Sequence, residues 1–442
     1  MTFRQKFGTI GLVINMKRAL VLSGGGAKGS YEIGAIKALR EMHMKFDIVT
    51  GTSIGAINAA LYAQKDYQKA KHLWGKLKTK DLFDGVKDNI SEKEMYRVLV
   101  QEFFKNGGLS FAKAEKFLRT KINEKKIRRS KIKFGLVTYS YTTKKPRMLA
   151  IDQIPEGKLI DYIVASATCY PAVNKKQIDD EYFIDGGFYD NVPINLAIEM
   201  GATEVVAIDL SVLAFSKKEL KDVKVDRIKC SDKNFFTINF NPDNSKKFMM
   251  MGYNDTMRHF GRLDGNIFTF KKGDLEKNYL QIEEDYIKLL KSIFAKKKSK
   301  LSKEIFKLSK YKSIFDKLKT KNKIRTEITD ALEYLGNIFE LDKNKIYSIK
   351  KYNKLLIEKA KELDYIKINK YLKGKTLISY MYNKYIKLAD KKEGVRELFN
   401  IALLFPKEFL ATLYLIIIHE KKKSNLFAKI SCKIKRVELN YE

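Results

Sequence analysis

The stretch Phe46-Asp47-Ile48-Val49-Thr50-Gly51-Thr52-Ser53-Ile54-Gly55-Ala56 carries the pattern on which the fold of this chain turns. Its first part, Phe46 to Thr50, predicts a short buried strand, and a helix is expected to start at about Ile54. Between the two, Gly51-Thr52-Ser53-Ile54-Gly55 sets a glycine two residues before and two residues after a serine. That spacing permits a sharp strand-to-helix turn, which lifts the Ser53 hydroxyl above the sheet edge and points the helix N-terminus at it. Ala56, Ala59 and Ala60 allow close packing beneath. The spacing alone would arise by chance in about one chain of this size in ten, so the strand-to-helix context carries more weight than the letters.

Moving upstream, the run Ala19 to Ser23 reads as another strand and leads into Gly24-Gly25-Gly26-Ala27-Lys28-Gly29, with a helix expected from about Ser30. Gly24, Gly26 and Gly29 satisfy the spacing of a dinucleotide-binding turn. An acidic residue about 20 positions on should then end the next strand, whereas Asp47 begins one that runs straight into the serine turn. In the other reading, the consecutive glycines present backbone N–H groups beside Ser53 and form an oxyanion hole for acyl transfer. Lys28 either holds this loop or is a solvated surface lysine.

A nucleophilic serine needs a base. The chain has four histidines, His43, His72, His259 and His419, and none sits in a turn suited to catalysis; His259 lies in a helical stretch that fits a structural histidine better. Asp185 is the better partner, because Tyr182-Phe183-Ile184 reads as a strand that ends in Asp185-Gly186-Gly187. Its alternative is an ordinary turn aspartate.

Taken in order, Gly-Gly-Gly-Ala-Lys-Gly (24–29), Gly-Thr-Ser-Ile-Gly (51–55) and Asp-Gly-Gly (185–187), all at strand ends, resemble the patatin-like phospholipase family, particularly its bacterial members. The resemblance implies a Ser–Asp dyad without histidine. Ser53 would be the nucleophile and Asp185 the general base, Gly24, Gly25 and Gly26 would form the oxyanion hole, and Lys28, Gly29, Gly51, Gly55, Gly186 and Gly187 would support the three motifs. It further implies a three-layer α/β domain around a largely parallel sheet, and cleavage of fatty-acyl esters through an acyl-enzyme, as in a phospholipase A-type acyl hydrolase. That chemistry calls for no metal or organic cofactor. The segment Ala165 to Pro171 is similar to a stretch of the same family but differs in spacing, and no catalytic role is assigned to it. Two alternatives stay open: a serine esterase or thioesterase acting on soluble acyl substrates, and a non-catalytic lipid-binding protein.

Of the 25 glycines and six prolines, only four glycines and Pro406 fall after residue 271. Before that point short β-rich runs alternate with helical stretches, the rhythm of an α/β domain. The expected strands beyond those already quoted are Lys133 to Tyr139, Met148 to Ile151, Tyr182 to Ile184 and Val205 to Leu210. Beyond it, apolar residues at Leu301, Ile305, Leu308, Tyr311, Phe315 and Leu318 recur at helical spacing. The expected organisation is an extension over residues 1–15, with Met16 a candidate start; a catalytic α/β domain over 16–271; and a Lys-rich, all-α region over 272–442.

The 442 residues include 87 Lys and Arg against 52 Asp and Glu, a formal net charge of +35, most of it after residue 210. Part of that excess is either compositional style, since Lys is spread through nearly every polar stretch, or a field that attracts an anionic surface and leaves peripheral membrane contact open. No aromatic-basic recognition motif of known type supports a nucleic-acid partner, and no feature points to a particular protein partner. The apolar run Phe409 to Ile418 is either a buried core helix or a membrane-contacting one, and the longer stretch Ile401 to Ile418 is interrupted as a spanning segment by Pro406-Lys407-Glu408. The basic and apolar stretch from Lys17 to Leu22 is too short for a signal peptide. Cys169, Cys230 and Cys432 lie far apart without metal-ligand or disulfide spacing, so a reducing cytoplasm is the expected compartment.

Overall fold

The computed structural model describes residues 16–87, 91–210, 223–231, 238–295, 321–362, 374–388 and 405–421. The chain divides into two compact units, Met1–His259 and Phe260–Glu442.

The first unit is built on an eight-stranded sheet. It opens with β1 (Arg18–Leu22), α1 (Gly29–Glu41), β2 (Ile48–Thr52) and α2 (Ile54–Ala63). Helices α3 (Tyr67–Trp74), α4 (Thr79–Leu82), α5 (Glu92–Asn106), α6 (Ala112–Lys121) and α7 (Glu124–Arg128) intervene before β3 (Lys133–Ser140) and β4 (Lys145–Ala150). Then come α8 (Leu159–Ser166), β5 (Lys176–Ile178), β6 (Glu181–Asp185), α9 (Ile194–Glu199), β7 (Glu204–Asp209), β8 (Lys224–Lys229) and α10 (Pro242–His259). Strands β8, β7, β1, β2 and β3 are parallel neighbours in that order, while β4 and β6 run antiparallel to β3 and β5 antiparallel to β6. The expected α/β class with a largely parallel sheet is what forms.

The central strands are apolar on both faces because both are covered. Ala19 and Val21 of β1 and Val205 and Ala207 of β7 pack with Ile194, Ala197 and Ile198 of α9. The alternate residues Leu20, Leu22, Val206 and Ile208 are equally buried and, by the two-residue period of a strand, point to the opposite face. Helices α1 and α10 cross at a pair of glycines: a Cβ on Gly34 would overlap the Met249 carbonyl, and one on Gly252 the Tyr31 carbonyl.

The edge of β3 explains how the site is assembled. Strand β4 occupies one edge along Gly135–Ser140. The other edge is shared: β2 pairs with Lys133–Val137, and β6 takes over at Thr138–Ser140. Because β2 runs parallel and β6 antiparallel to β3, their C-terminal ends meet head to head.

The second unit holds helices Asp274–Ala295, Lys321–Ile338, Ile349–Glu362 and Gly374–Leu388 and a helix over 406–421. The region expected to be all-α also contains one short parallel pairing, Thr269–Phe270 with Ile346–Tyr347. Its core gathers Phe268, Phe270, Tyr352, Leu335 and Tyr414, and the whole run Phe409–Ile418 is buried in it, in keeping with the core-helix reading. The unit starts at Phe260, ahead of the expected boundary at 271/272, because Asp264 and Phe270 exchange backbone hydrogen bonds and Phe268 and Phe270 fill this second core. The periodic residues Leu301 to Leu318, the extension 1–15 and Cys432 lie outside the described residues. Among the described residues, no helix is long and apolar enough to cross a membrane.

Candidate active site

Ser53 stands between the end of β2 and the start of α2 with φ 56° and ψ −126°, a backbone conformation that only glycine adopts without cost. The flanking glycines make this turn possible. A Cβ on Gly51 would overlap the Gly55 carbonyl, and a Cβ on Gly55 would overlap the Leu22 carbonyl. Two side chains, Ser166 and Thr52, fasten the turn. The Ser53 N–H donates to Ser166 Oγ at 2.9 Å, and the Ser166 hydroxyl donates in turn to the Val137 carbonyl at 2.6 Å. The Thr52 hydroxyl donates to the Asp190 carbonyl at 2.9 Å.

Asp185 is the last residue of β6. Its position opposite Thr138 directly follows that of Thr52 opposite Val137, so the shared edge of β3 delivers the carboxylate to the residue after Thr52. Ser53 and Asp185 line the same cavity, and the Ser53 hydroxyl is near enough to the carboxylate to favour its ionised form. The Gly187 N–H donates to Asp185 Oδ1 at 2.7 Å, and the Asp185 N–H anchors the strand end to the Thr168 carbonyl at 2.8 Å. Asp185 is only 6% exposed. Burial pushes its carboxyl up to about 6, and the Ser53 hydroxyl and the Gly187 N–H pull the other way.

The glycine loop lies against the elbow, and a Cβ on Gly24 would stand 3.1 Å from the Ser53 Cβ. Asn191 clamps it from both sides: the Gly24 N–H donates to the Asn191 carbonyl at 3.1 Å, and Asn191 Nδ2 donates to the Gly24 carbonyl at 3.1 Å. The Gly24 amide is therefore already engaged, which narrows the expected trio. Among the described residues the amides of Gly25 and Gly26 have no acceptor, and Gly26, with φ 55°, starts a single 3₁₀ turn through Lys28. Lys28 is 1% exposed, so it is a buried part of the loop and not a solvated lysine. Gly29 makes room for Ile54 and Trp74, either of which would meet a Cβ there.

Ser53, Asp185 and the glycines open into a cavity of about 600 Å³. Its walls are mostly apolar, with Trp74, Leu77, Phe83, Phe111, Leu118 and Phe240 prominent. Trp74 is fixed by Asn58, whose Oδ1 accepts from the indole N–H at 2.9 Å while its Nδ2 donates to the Gly29 carbonyl and to Glu32 Oε2. Burial holds the Glu32 carboxyl well above the usual carboxylate range. None of the four histidines lines this cavity. His43 and His72 are exposed, His259 lies 3.4 Å from Asp226, and His419 meets the Tyr382 hydroxyl within the second unit.

All eleven residues expected from the sequence fall within the three turns around this cavity. Gly186 packs where a Cβ would overlap the Val137 carbonyl, and Gly187 lies beside Asn191. Ser166, Asn191 and Asn58 were not anticipated. Ser166 belongs to the Ala165–Pro171 stretch to which no role was given, and Asn191 follows the Asp185-Gly186-Gly187 turn closely enough to have been suspected.

Comparison with known proteins finds a family match across this stretch. The family model described as Patatin-like phospholipase matches residues 20–198. Patatin-like phospholipase domain-containing protein 6 of Mus musculus is 31% identical over 201 residues, covering 43% of this chain and 13% of its own length. Lysophospholipase NTE1 of Mycosarcoma maydis is 27% identical over 200 residues, covering 44% of this chain and 10% of its own. The chain thus corresponds to only a small part of these relatives. Among solved structures, VipD from Legionella pneumophila aligns over 91% of both chains at 15% identity with a TM-score of 0.38, too distant to bear on function. The matched stretch begins in β1, ends in α9 and takes in the glycine loop, the Ser53 turn and Asp185, so residues 20–198 of this chain form a patatin-like phospholipase domain.

Proposed function

We propose that the protein is a lipid acyl hydrolase of phospholipase A type, with Ser53 as nucleophile and Asp185 as general base. The observation that supports this reading is that the two strand ends on the shared edge of β3 bring Ser53 and the buried Asp185 carboxylate to an apolar cavity that no histidine lines. Asp185 accepts the Ser53 proton as the oxygen attacks an ester carbonyl. The developing oxyanion is met by the amides of Gly25 and Gly26, while Gly24, tied to Asn191, holds the loop against the elbow. Collapse of the tetrahedral intermediate transfers the proton from Asp185 to the departing alcohol and leaves an acyl ester on Ser53. Asp185 then takes a proton from water, hydroxide adds to the acyl carbon, and the fatty acid leaves as the Ser53 oxygen is reprotonated. The cavity accommodates the acyl chain because its walls offer apolar contact and few competing polar groups.

The test is fatty-acid release from mixed phospholipid vesicles by the full-length protein, with Ser53→Ala and Asp185→Asn beside it. Each substitution should lower release by roughly a thousandfold or more while the protein stays folded. Retained activity in Ser53→Ala would refute Ser53 as nucleophile. Hydrolysis of short soluble esters without any release from phospholipid would move the assignment to a soluble esterase.

A further inference from the structure

Helix α5 has two apolar faces. Met95 is fully buried and Leu99 lines the cavity, as expected of a helix that packs on its domain. The other face presents Tyr96, Val100, Phe103 and Phe104, spaced i, i+4, i+7 and i+8, to solvent. Phe104 is 82% and Tyr96 63% exposed, and Tyr96 also borders the cavity. Phe188, immediately after Gly187, borders the same cavity and is 51% exposed. Single exposed apolar side chains are ordinary, but a helical row of them that begins at the border of a cavity is not.

The row continues into a cationic end. The Phe103 ring lies 6.5 Å from that of Tyr170, which lies 5.7 Å from Tyr141. Lys144 Nζ stands 3.5 Å from the Tyr141 ring centre, and Lys175 Nζ stands 4.1 Å from Tyr141 and 5.2 Å from Tyr170. Several other lysines of the same unit are neutralised: Lys176 by Glu115 and Asp161, Lys158 by Asp179 and Lys113 by Asp84. Among the described residues Lys144 and Lys175 have no carboxylate partner, only the faces of tyrosines.

We infer that this ridge docks on a bilayer containing anionic lipid and brings the cavity mouth to the headgroup layer. Tyr96, Val100, Phe103, Phe104 and Phe188 would enter the boundary between headgroups and acyl chains, and Lys144 and Lys175 would meet lipid phosphates. Tyr141 and Tyr170, apolar rings with polar hydroxyls, suit that boundary. Charge selects this occupant over a second copy of the chain, which would bring the same unneutralised lysines to the contact. The inference rests on the acyl-hydrolase reading for its purpose, but docking itself needs no turnover.

The test uses the full-length chain carrying Ser53→Ala, sedimented with phosphatidylcholine vesicles with and without phosphatidylglycerol. Phosphatidylglycerol should strengthen binding. Phe103→Ser with Phe104→Ser, and separately Lys144→Gln with Lys175→Gln, should each weaken binding to anionic vesicles by about tenfold, the loss expected when an apolar wedge or a pair of phosphate contacts is removed. As an independent readout, the indole introduced by Phe104→Trp should be quenched by vesicles with brominated acyl chains. With Ser53 intact, both double variants should hydrolyse a soluble short-chain ester at the parent rate and release less fatty acid from vesicles. The inference is overturned if the parent does not bind, if it binds neutral and anionic vesicles alike, or if neither double variant changes binding. It is also overturned if the aromatic pair alters only the monomer–dimer equilibrium, which would assign the ridge to a second copy. Vesicle binding that follows the expected pattern without any ester hydrolysis would support the docking surface and count against the acyl-hydrolase reading instead.

Discussion

Ser53 follows the end of β2 and Asp185 ends β6, and the shared edge of β3 brings the hydroxyl to a carboxylate that burial holds at a pKa of about 6 instead of the ordinary 3.8. Only the ionised carboxylate can take the serine proton. Activity on an uncharged soluble ester should therefore be low at pH 5, rise through one inflection near pH 6 and level off above it. A profile that stayed flat down to pH 4.5 would place the base elsewhere.

The same shift fixes the sign of a stability effect. The folded state holds the Asp185 proton more tightly than the unfolded chain does, so its favourable contribution is complete below about pH 4 and is lost as pH rises through 6. Keeping the ionised group buried at pH 7 then costs about 3 kcal/mol. Asp185→Asn, which removes the charge and retains an oxygen for the Gly187 N–H, should melt higher than the wild type at pH 7. The gap should shrink toward pH 4. An unchanged or lower melting temperature at pH 7 would contradict the assigned shift.

Ser53 offers a second trade of stability against function. Its φ of 56° lies where a Cβ is disfavoured, and the strain is of order 1–3 kcal/mol. Ser53→Gly should relieve it and raise the unfolding free energy by about 1–2 kcal/mol. Ser53→Ala, which keeps the Cβ, should gain little. Both should be inactive. Denaturant melts of the two variants side by side measure the difference, and equal stabilities would mean that the turn is not strained.

The local features of this site were legible because each is dictated over a few residues. Gly51 and Gly55 are required by carbonyls that leave no room for a Cβ, and the end of a strand at Asp185 can be read from Tyr182-Phe183-Ile184. The assignment of Gly24 was only half legible. Its position in the loop follows from the sequence, but its amide is claimed by Asn191, a partner 167 residues away that no local pattern announces. Ser166 is hidden for the same reason, reaching the elbow from the end of α8 across 113 residues. The meeting of β2 and β6 on one edge of β3 is a property of strand order, which composition and periodicity do not encode. The boundary at Phe260 escaped because glycine usage marks turns, whereas the unit is defined by where Phe268 and Phe270 are buried.

Ser166 is predicted to be a positioning residue, since it touches the backbone of the nucleophile and not the reacting atoms. Ser166→Ala leaves the Ser53 N–H without its acceptor and removes the link to the Val137 carbonyl. Loss of one such buried hydrogen bond costs about 1–3 kcal/mol. The expected result is a fall of roughly tenfold to a hundredfold in kcat with KM little changed, because the elbow is displaced by a fraction of an ångström while the acyl cavity is untouched. Ser166→Thr, which keeps the hydroxyl, should recover part of the loss. A change confined to KM would instead place Ser166 in substrate binding.

The shape of the cavity leads to a prediction about acyl-chain length. Ala114 and Leu118 lie one helical turn apart on α6, and both line the cavity. Ala114→Leu adds bulk where the chain would lie, and Leu118→Ala removes it. Each methylene excluded from apolar contact forfeits about 0.8 kcal/mol, so displacing two or three carbons of a long chain should lower kcat/KM for long-chain esters by roughly ten- to fiftyfold in Ala114→Leu. Short-chain esters, which end before the obstruction, should be hydrolysed as by the wild type. Leu118→Ala should shift the preference the opposite way, toward longer chains, at some cost in thermal stability from the space it leaves. A series of ester substrates of increasing length reads this directly as the ratio of long-chain to short-chain kcat/KM. If neither substitution moved that ratio, the acyl chain would have to leave Ser53 by another route, along the exposed face of α5 and not into the cavity behind Trp74.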